Sequence, residues 1–168
     1  MDLMSNLNNM DGYDIAQICT NGHVITSMAD SSPDFKKDFC KRCGAKTICN
    51  CVECNQPIKG YYHVSGVIGG SSYEPPRFCD SCGSTFPWIK VKIEAANELV
   101  ELIETLSPDE KKDFQSAIDE LIRETAKVPV AKVKLKKYLS KVNSDISDGI
   151  RDVLRDTLSK ELKNELIK

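Results

Sequence analysis

The sequence predicts an α+β protein in which a small β-rich unit, dense in paired cysteines, is followed by an all-α unit. Three observations carry this. All eight cysteines (19, 40, 43, 49, 51, 54, 79, 82) lie in the first half, and none follows Cys82. Up to Trp88 the chain is made of short β-like runs, YDIAQIC, HVITSM and YYHVSGVIG, broken by Gly, Pro, Asn and Ser. After Trp88 the only glycine is Gly149, and apolar residues recur at helical spacing to the end.

Taken in order, residues 1–14 are polar and rich in Asn and Asp, and read as a flexible lead-in. Residues 15–88 form the β-rich unit and residues 89–168 the helical one. The opening MDLMSNLNNMDGYD has neither a basic start nor an apolar core, and no apolar run approaches the ~20 residues that a bilayer crossing takes. The expected location is the cytoplasm, with no membrane partner.

The first helix is expected over about Val91–Leu106, with Ile93, Ala96, Leu99, Val100 and Ile103 on one face. Ser107-Pro108-Asp109-Glu110 then supplies an N-cap hydroxyl, a proline where the missing N–H is not needed, and a glutamate placed to close a capping box. The helix it opens should bury Phe114, Ala117, Ile118, Leu121 and Ile122 and end before Pro129, which disfavours helical geometry at Val128. A third helix, about Val130–Val142, offers Val130, Val133, Tyr138, Leu139 and Val142 and carries Lys132, Lys134, Lys136, Lys137 and Lys141. A fourth, from about Asp145 to the C-terminus, repeats Ile146, Ile150, Val153, Leu154, Leu158, Leu162 and Leu166 at threes and fours. That stripe can pack internally, as a bundle or hairpin, or against a second molecule, and internal packing is favoured.

Seven cysteines and one histidine fall into four close pairs: Cys19 with His23, Cys40 with Cys43, Cys51 with Cys54, and Cys79 with Cys82. The last three are C-x2-C turns, which bring two sulfurs to one ion about 2.3 Å away, and eight such ligands make two tetrahedral Zn2+ sites. Four protein ligands per ion leave no open position, the mark of a structural rather than a catalytic metal. Disulfides are the alternative for cysteine-rich chains, but short C-x2-C spacings in a chain of cytosolic character favour metal.

Two ways of sharing the pairs are open, consecutive as in ribbons or crossed as in a RING-like brace. FCKRCG at 39–44 and FCDSCG at 78–83 are the same phrase, each following a looser ligand pair, which reads as an internal repeat and favours consecutive sharing. One site is then Cys19, His23, Cys40 and Cys43, and the other Cys51, Cys54, Cys79 and Cys82. Gly44 and Gly83 allow the positive φ with which such turns close. Phe39 and Phe78 are placed to cover the sulfurs. Cys49 sits too close to Cys51 to join its turn and reads as a bystander thiol, while His63 reads as a locally bonded strand histidine.

The phrases ICTNGHVI, FCKRCG, CVECNQPIKGYYHVSGV and SSYEPPRFCDSCGSTFPW resemble an uncharacterised bacterial family, a domain of unknown function marked by N-terminal zinc-ribbon motifs. The resemblance covers about residues 13–88, and more weakly the tail, where a stretch like Val128-Pro129-Val130-Ala131 precedes a basic helix. It implies a tandem zinc-ribbon, zinc-binding, bacterial cytosolic protein and brings no known reaction. In relatives the place of Cys49 is not reliably cysteine.

Three functional classes compete. The first is a non-enzymatic interaction or adaptor module, in which ribbons and helices contact a protein partner or self-associate. Tyr61, Tyr62 and the loop Gly69-Gly70-Ser71-Ser72-Tyr73-Glu74-Pro75-Pro76 are its candidate surface, unless those tyrosines merely cover a ribbon too small for a core. The second is nucleic-acid binding, which overall charge disfavours: seven thiolates and two Zn2+ take the formal net of −2 to about −5. The lysine-rich third helix, with Lys36, Lys37, Lys41 and Arg42, is the remaining route to it. The third is an enzyme, against which stands the absence of H-x-E with P-C-x2-C, of H-E-x2-H, of a phosphate-binding glycine loop and of a nucleophile elbow. No catalytic residue, further cofactor or small-molecule substrate is expected.

Overall fold

The computed structural model describes residues 11–66 and 72–166. Two small sheets and five helices among the described residues make it α+β, and none of those helices is long and apolar enough to cross a membrane. The chain divides into two compact units between Trp88 and Ile89.

In the first unit, β1 (Gly12–Ile15) pairs antiparallel with β5 (Lys59–His63), setting Gly12 opposite His63 and Tyr13 opposite Tyr62. The expected lead-in is therefore shorter than 1–14, because Gly12, Tyr13 and Asp14 are strand; its first ten residues lie outside the described residues. A second sheet has the order β3-β2-β4, from β2 (Gln17–Cys19), β3 (Val24–Thr26) and β4 (Thr47–Ile48). In the run read as YYHVSGVIG, β5 ends at His63, and its residues from Val67 on lie outside the described residues.

These strands are too short for a large core. What is buried is Ala16, Ile18, Ala29, Ile58, Phe86 and Trp88, with four of the cysteines. Phe86 and Trp88 stack with centroids 4.7 Å apart, and the Trp88 indole N–H donates to the Pro76 carbonyl at 2.9 Å. The buried Gln17 amide donates to the Lys37 carbonyl at 3.0 Å and to the Thr47 hydroxyl at 2.9 Å, and accepts from the Lys37 N–H at 2.9 Å. One side chain thereby fixes the strand to the segment leading into the second ligand pair. At Gly60 a Cβ would fall 2.1 Å from the Ser27 carbonyl oxygen, so only glycine lets β5 approach closely enough for the Tyr61 N–H to reach that oxygen.

In the second unit, α1 spans Pro87–Glu101, starting and ending about four residues before the expected bounds, because Pro87 opens it. Helix α2 (Pro108–Arg123) has the capping box in full: the Glu110 N–H donates to the Ser107 hydroxyl, and the Ser107 N–H to the Glu110 carboxylate. It buries Phe114, Ala117, Ile118, Leu121 and Ile122 and stops at Glu124, which takes a left-handed φ of 51°.

Helix α3 (Val128–Leu139) presents a different face from the one expected. Ala131, Leu135, Tyr138 and Leu139 are buried, whereas Val130 and Val133 are 57% and 68% exposed. Steps of four and three from Ala131 place Leu135 and Tyr138 on one face and turn the two valines away from it. Phe114 stacks on Tyr138 at 4.9 Å, joining α2 to α3. The expected fourth helix is two, α4 (Ser144–Thr157) and α5 (Lys160–Leu166), separated at Leu158, whose ψ of 157° is extended. The Thr157 hydroxyl bonds back to the Val153 carbonyl at 3.0 Å, the local competition with the backbone that such residues offer. Ile150, Leu154, Leu158, Leu162 and Leu166 are all buried within the chain.

Candidate metal centres

Each ligand pair sits on a tight hairpin built the same way. In the three C-x2-C turns the first cysteine's N–H and C=O bond to a carbonyl and an N–H beyond the second. Cys40 N–H reaches Ala45 at 2.9 Å and Gly44 N–H reaches Cys40 at 2.8 Å, with like pairs at Cys51 with Gln56 and Asn55, and at Cys79 with Ser84 and Gly83. The chain then needs a left-handed residue to close, which is Gly44 (φ 70°), Asn55 (φ 58°) and Gly83 (φ 73°). Asparagine is among the residues that tolerate this conformation without being glycine. Asn55 was missed as a turn-closing residue. Its position four after Cys51, matching Gly44 and Gly83 in the sibling turns, was the available signal.

The hairpins gather the ligand atoms into two groups, Cys19, His23, Cys40 and Cys43 in one and Cys51, Cys54, Cys79 and Cys82 in the other, each within 4.8 Å of one another. That is the consecutive sharing. In the first group Cys19 Sγ lies 3.8 Å from Cys43 Sγ, and His23 Nδ1 lies 3.5 Å from Cys19 Sγ and 3.6 Å from Cys40 Sγ. In the second, Cys51 Sγ is 3.8 Å from Cys82 Sγ and Cys54 Sγ is 3.7 Å from Cys79 Sγ. A tetrahedral ion with sulfur at about 2.3 Å and nitrogen at about 2.05 Å requires sulfur pairs about 3.8 Å apart and sulfur to nitrogen about 3.6 Å. The side chains therefore fit such an ion. The burial order also repeats, with the first and third ligands of each group buried, the second half-buried and the fourth, Cys43 or Cys82, exposed.

The surroundings favour thiolate. The Ala45 N–H, with the Asn21 amide and His23, holds the Cys43 thiol down to about 6 against desolvation. The Ser84 hydroxyl, 2.9 Å from Cys82 Sγ, lowers that thiol in turn. Cys54 accepts the Gln56 N–H, yet burial and the thiols of Cys82, Cys79 and Cys51 push it up to about 12. Four sulfurs this close do not all ionise without a cation to neutralise them, which is the charge logic of a dication site. Ser84 and Asn21 were not picked out beforehand; both lie within two residues of a ligand, where polar hydrogens reach sulfur.

A match to proteins of known sequence now becomes informative. The family described as "Uncharacterized protein conserved in bacteria (DUF2321)" matches residues 12–166. The chain belongs to that family. No curated protein and no solved structure matches it. The DUF2321 match runs through both units, so the helical tail is part of what defines the family as well as the cysteine-rich unit.

The remaining residues of this DUF2321 chain that were singled out take other positions. Cys49 is half-buried outside both groups, and burial raises its thiol. Phe39 does not cover the sulfurs, since it is 65% exposed; its strand pairs with Lys46 so that its ring faces solvent. Tyr62 is exposed, Tyr61 is half-buried with its ring edge on His63, and Tyr73 donates its hydroxyl to the Lys59 carbonyl; Gly69 to Ser71 lie outside the described residues.

His63 lies away from both groups, and its Nε2 is 2.9 Å from the Asp14 carboxylate. Burial would raise the Asp14 carboxyl, but Ser31, His63 and the N–H groups of Asp30 and Ile15 together hold it at about 2. A carboxyl depressed from 3.8 contributes stability that is complete above about pH 4 and is lost as pH falls toward 2. At neutral pH, Asp14→Asn should thus cost about 2 kcal/mol in denaturant unfolding of the metal-loaded protein. A loss below about 0.5 kcal/mol would show that these hydrogen bonds are not what ties β1 down.

Proposed function

We propose that this chain is a non-enzymatic, zinc-binding interaction protein of the bacterial cytoplasm. In this reading a tandem zinc-ribbon unit and a C-terminal helical bundle mediate contacts with a protein partner or with a second copy. The observation that carries it is the completeness of the two ligand sets: each ion would be held by four side chains, with no position for water or substrate. Zinc suits these sets because thiolate and imidazole in tetrahedral array are what it prefers.

The metals would then act as the core that the first unit lacks, and what the protein offers to others is surface. Tyr13 and Tyr62, 59% and 47% exposed with ring centroids 4.8 Å apart, border a groove of about 380 Å3 also lined by Gly60, Ser72, Tyr73 and Glu74. Exposed aromatic side chains of this kind are enriched at protein interfaces. On α3, Val130 and Val133 add an apolar patch.

Elemental analysis should give two zinc ions per chain, Cys43→Ser and Cys82→Ser should each lose one, and Cys49→Ser none. Replacement by Co2+ should give the spectrum of four-coordinate, thiolate-rich sites. A water-bearing or five-coordinate cobalt at either centre would overturn the reading, as would a strict monomer by light scattering that also binds no protein from its host.

A further inference from the structure

Two sets of basic residues are separated by what they touch. On α3, Lys132 pairs with Glu165 and Lys134 with Asp113, Lys137 lies 5.3 Å from the Tyr138 ring centroid, and Lys141, just past the helix, pairs with Glu110. Most cations there are engaged, and the one aromatic ring of that helix, Tyr138, is buried. Around the first metal centre, Lys36, Lys41, Arg42 and Lys46 make no ion pair among the described residues, and Lys37 reaches only the Asp34 carbonyl. The stretch from Asp34 to Lys46 carries five basic residues against two acidic ones, and all seven are exposed.

Two aromatic rings lie among these cations. Phe35, at the end of a single 3-10 turn (Pro33–Phe35), is 57% exposed, and Phe39 is 65% exposed. Phe39 and Lys46 are directly opposed in an antiparallel bridge, which sets the two side chains on the same face. The turn that follows presents Lys41 and Arg42 between the two ligand cysteines, so the metal cluster holds them rigidly. A rigid surface that exposes flat apolar rings beside unpaired cations is complementary to a ligand with planar faces and a regular anionic backbone.

We propose that the surface formed by Phe35, Lys36, Phe39, Lys41, Arg42 and Lys46 binds single-stranded nucleic acid, bases stacking on the phenylalanines and phosphates meeting the cations. The negative charge of the whole chain does not oppose this, because charges beyond about 8–10 Å are screened at physiological salt and the local balance governs. It does disfavour a duplex, which hides its base faces and demands a longer basic track. The inference does not rest on the protein-contact reading above, which concerns other surfaces.

The test uses the full zinc-loaded chain and fluorescence anisotropy with a labelled oligo-uridine of about 12 nucleotides, a duplex of equal length and a glutamate-rich peptide. The single strand should bind, and log K should fall against log salt with a slope of about −2 to −3, as expected for three or four neutralised phosphates. Phe39→Ala should weaken binding about tenfold and Phe35→Ala by a similar factor, the loss of one stacked base. Joint Lys41→Ala and Arg42→Ala substitution should flatten the salt slope by about 1.4, while joint Lys132→Ala and Lys136→Ala substitution should change nothing. Each variant is compared at two zinc per chain, and Phe35→Ala, further from the ligands, serves if Phe39→Ala loses metal. No binding to the single strand at about 50 mM salt would overturn the proposal. So would duplex or peptide binding as tight, or undiminished affinity in both phenylalanine variants.

Discussion

Stripping the metal with a strong chelator is expected to unfold the unit that ends at Trp88 while the helical unit keeps its far-ultraviolet signal. The reason lies in the balance of sizes. Among its described residues the first unit buries six apolar side chains besides its cysteines, none in a strand longer than five residues. Structural zinc in small peptides carries an apparent 10 kcal/mol or more at neutral pH, as much as the whole stability of an ordinary domain. Without it, three close thiols in the first cluster and four in the second repel or protonate, and the ligand hairpins lose what fixes them. Circular dichroism and proteolysis would read the two halves separately. Equal loss of both would show one cooperative unit and would remove the basis for treating the halves apart.

The complementary result is expected from Phe114→Ala. Phe114 is fully buried on α2 and stacks on Tyr138 of α3, and truncating a buried phenylalanine costs about 3–5 kcal/mol. Against a typical domain stability of about 5–15 kcal/mol, that removes a large share of what holds the helices together. Thermal or denaturant unfolding of the helical signal should shift strongly, while zinc content stays at two. A loss of metal in this variant would mean that the helical unit supports the cysteine clusters, contrary to the first expectation.

The two experiments probe features that differ in how they could be read from the residues. Helix α2 was legible because its signals are local: a serine, a proline and a glutamate in the first turn, then apolar residues at threes and fours. The ligand groups were legible for a different reason, since a repeated phrase betrays a repeated structure and so settles which pairs belong together. Where the reading went astray, the deciding partner was distant or the competing forces were nearly equal. The run YDIAQIC marks Tyr13 to Ile15 as β-like, but where β1 begins is not legible locally, because Gly12 and Asp14 gain their place from His63, about fifty residues later in the chain. On α3, Tyr138 and Leu139 are buried as expected, while Ala131 and Leu135, set among lysines, complete the buried face in place of Val130 and Val133. The break at Leu158 falls within a stripe of leucines whose periodicity continues unbroken across it. Phe39 turns outward, 65% exposed, because its backbone bridge to Lys46 rather than its neighbouring ligand sets its direction.

The graded burial of the ligands gives the two centres a direction. In each, the last cysteine is the most exposed ligand, the second is half-buried, and the first and third are enclosed. Exchange chemistry at thiolates proceeds where a competing ligand can approach, and here that is Cys43 or Cys82. An ion would therefore be handed in and out by the same door in both clusters, the C-terminal sulfur letting go first and the enclosed pair last. An oxidant in solution would meet that same outermost atom, so a loaded centre would be expected to fail first at its most accessible corner.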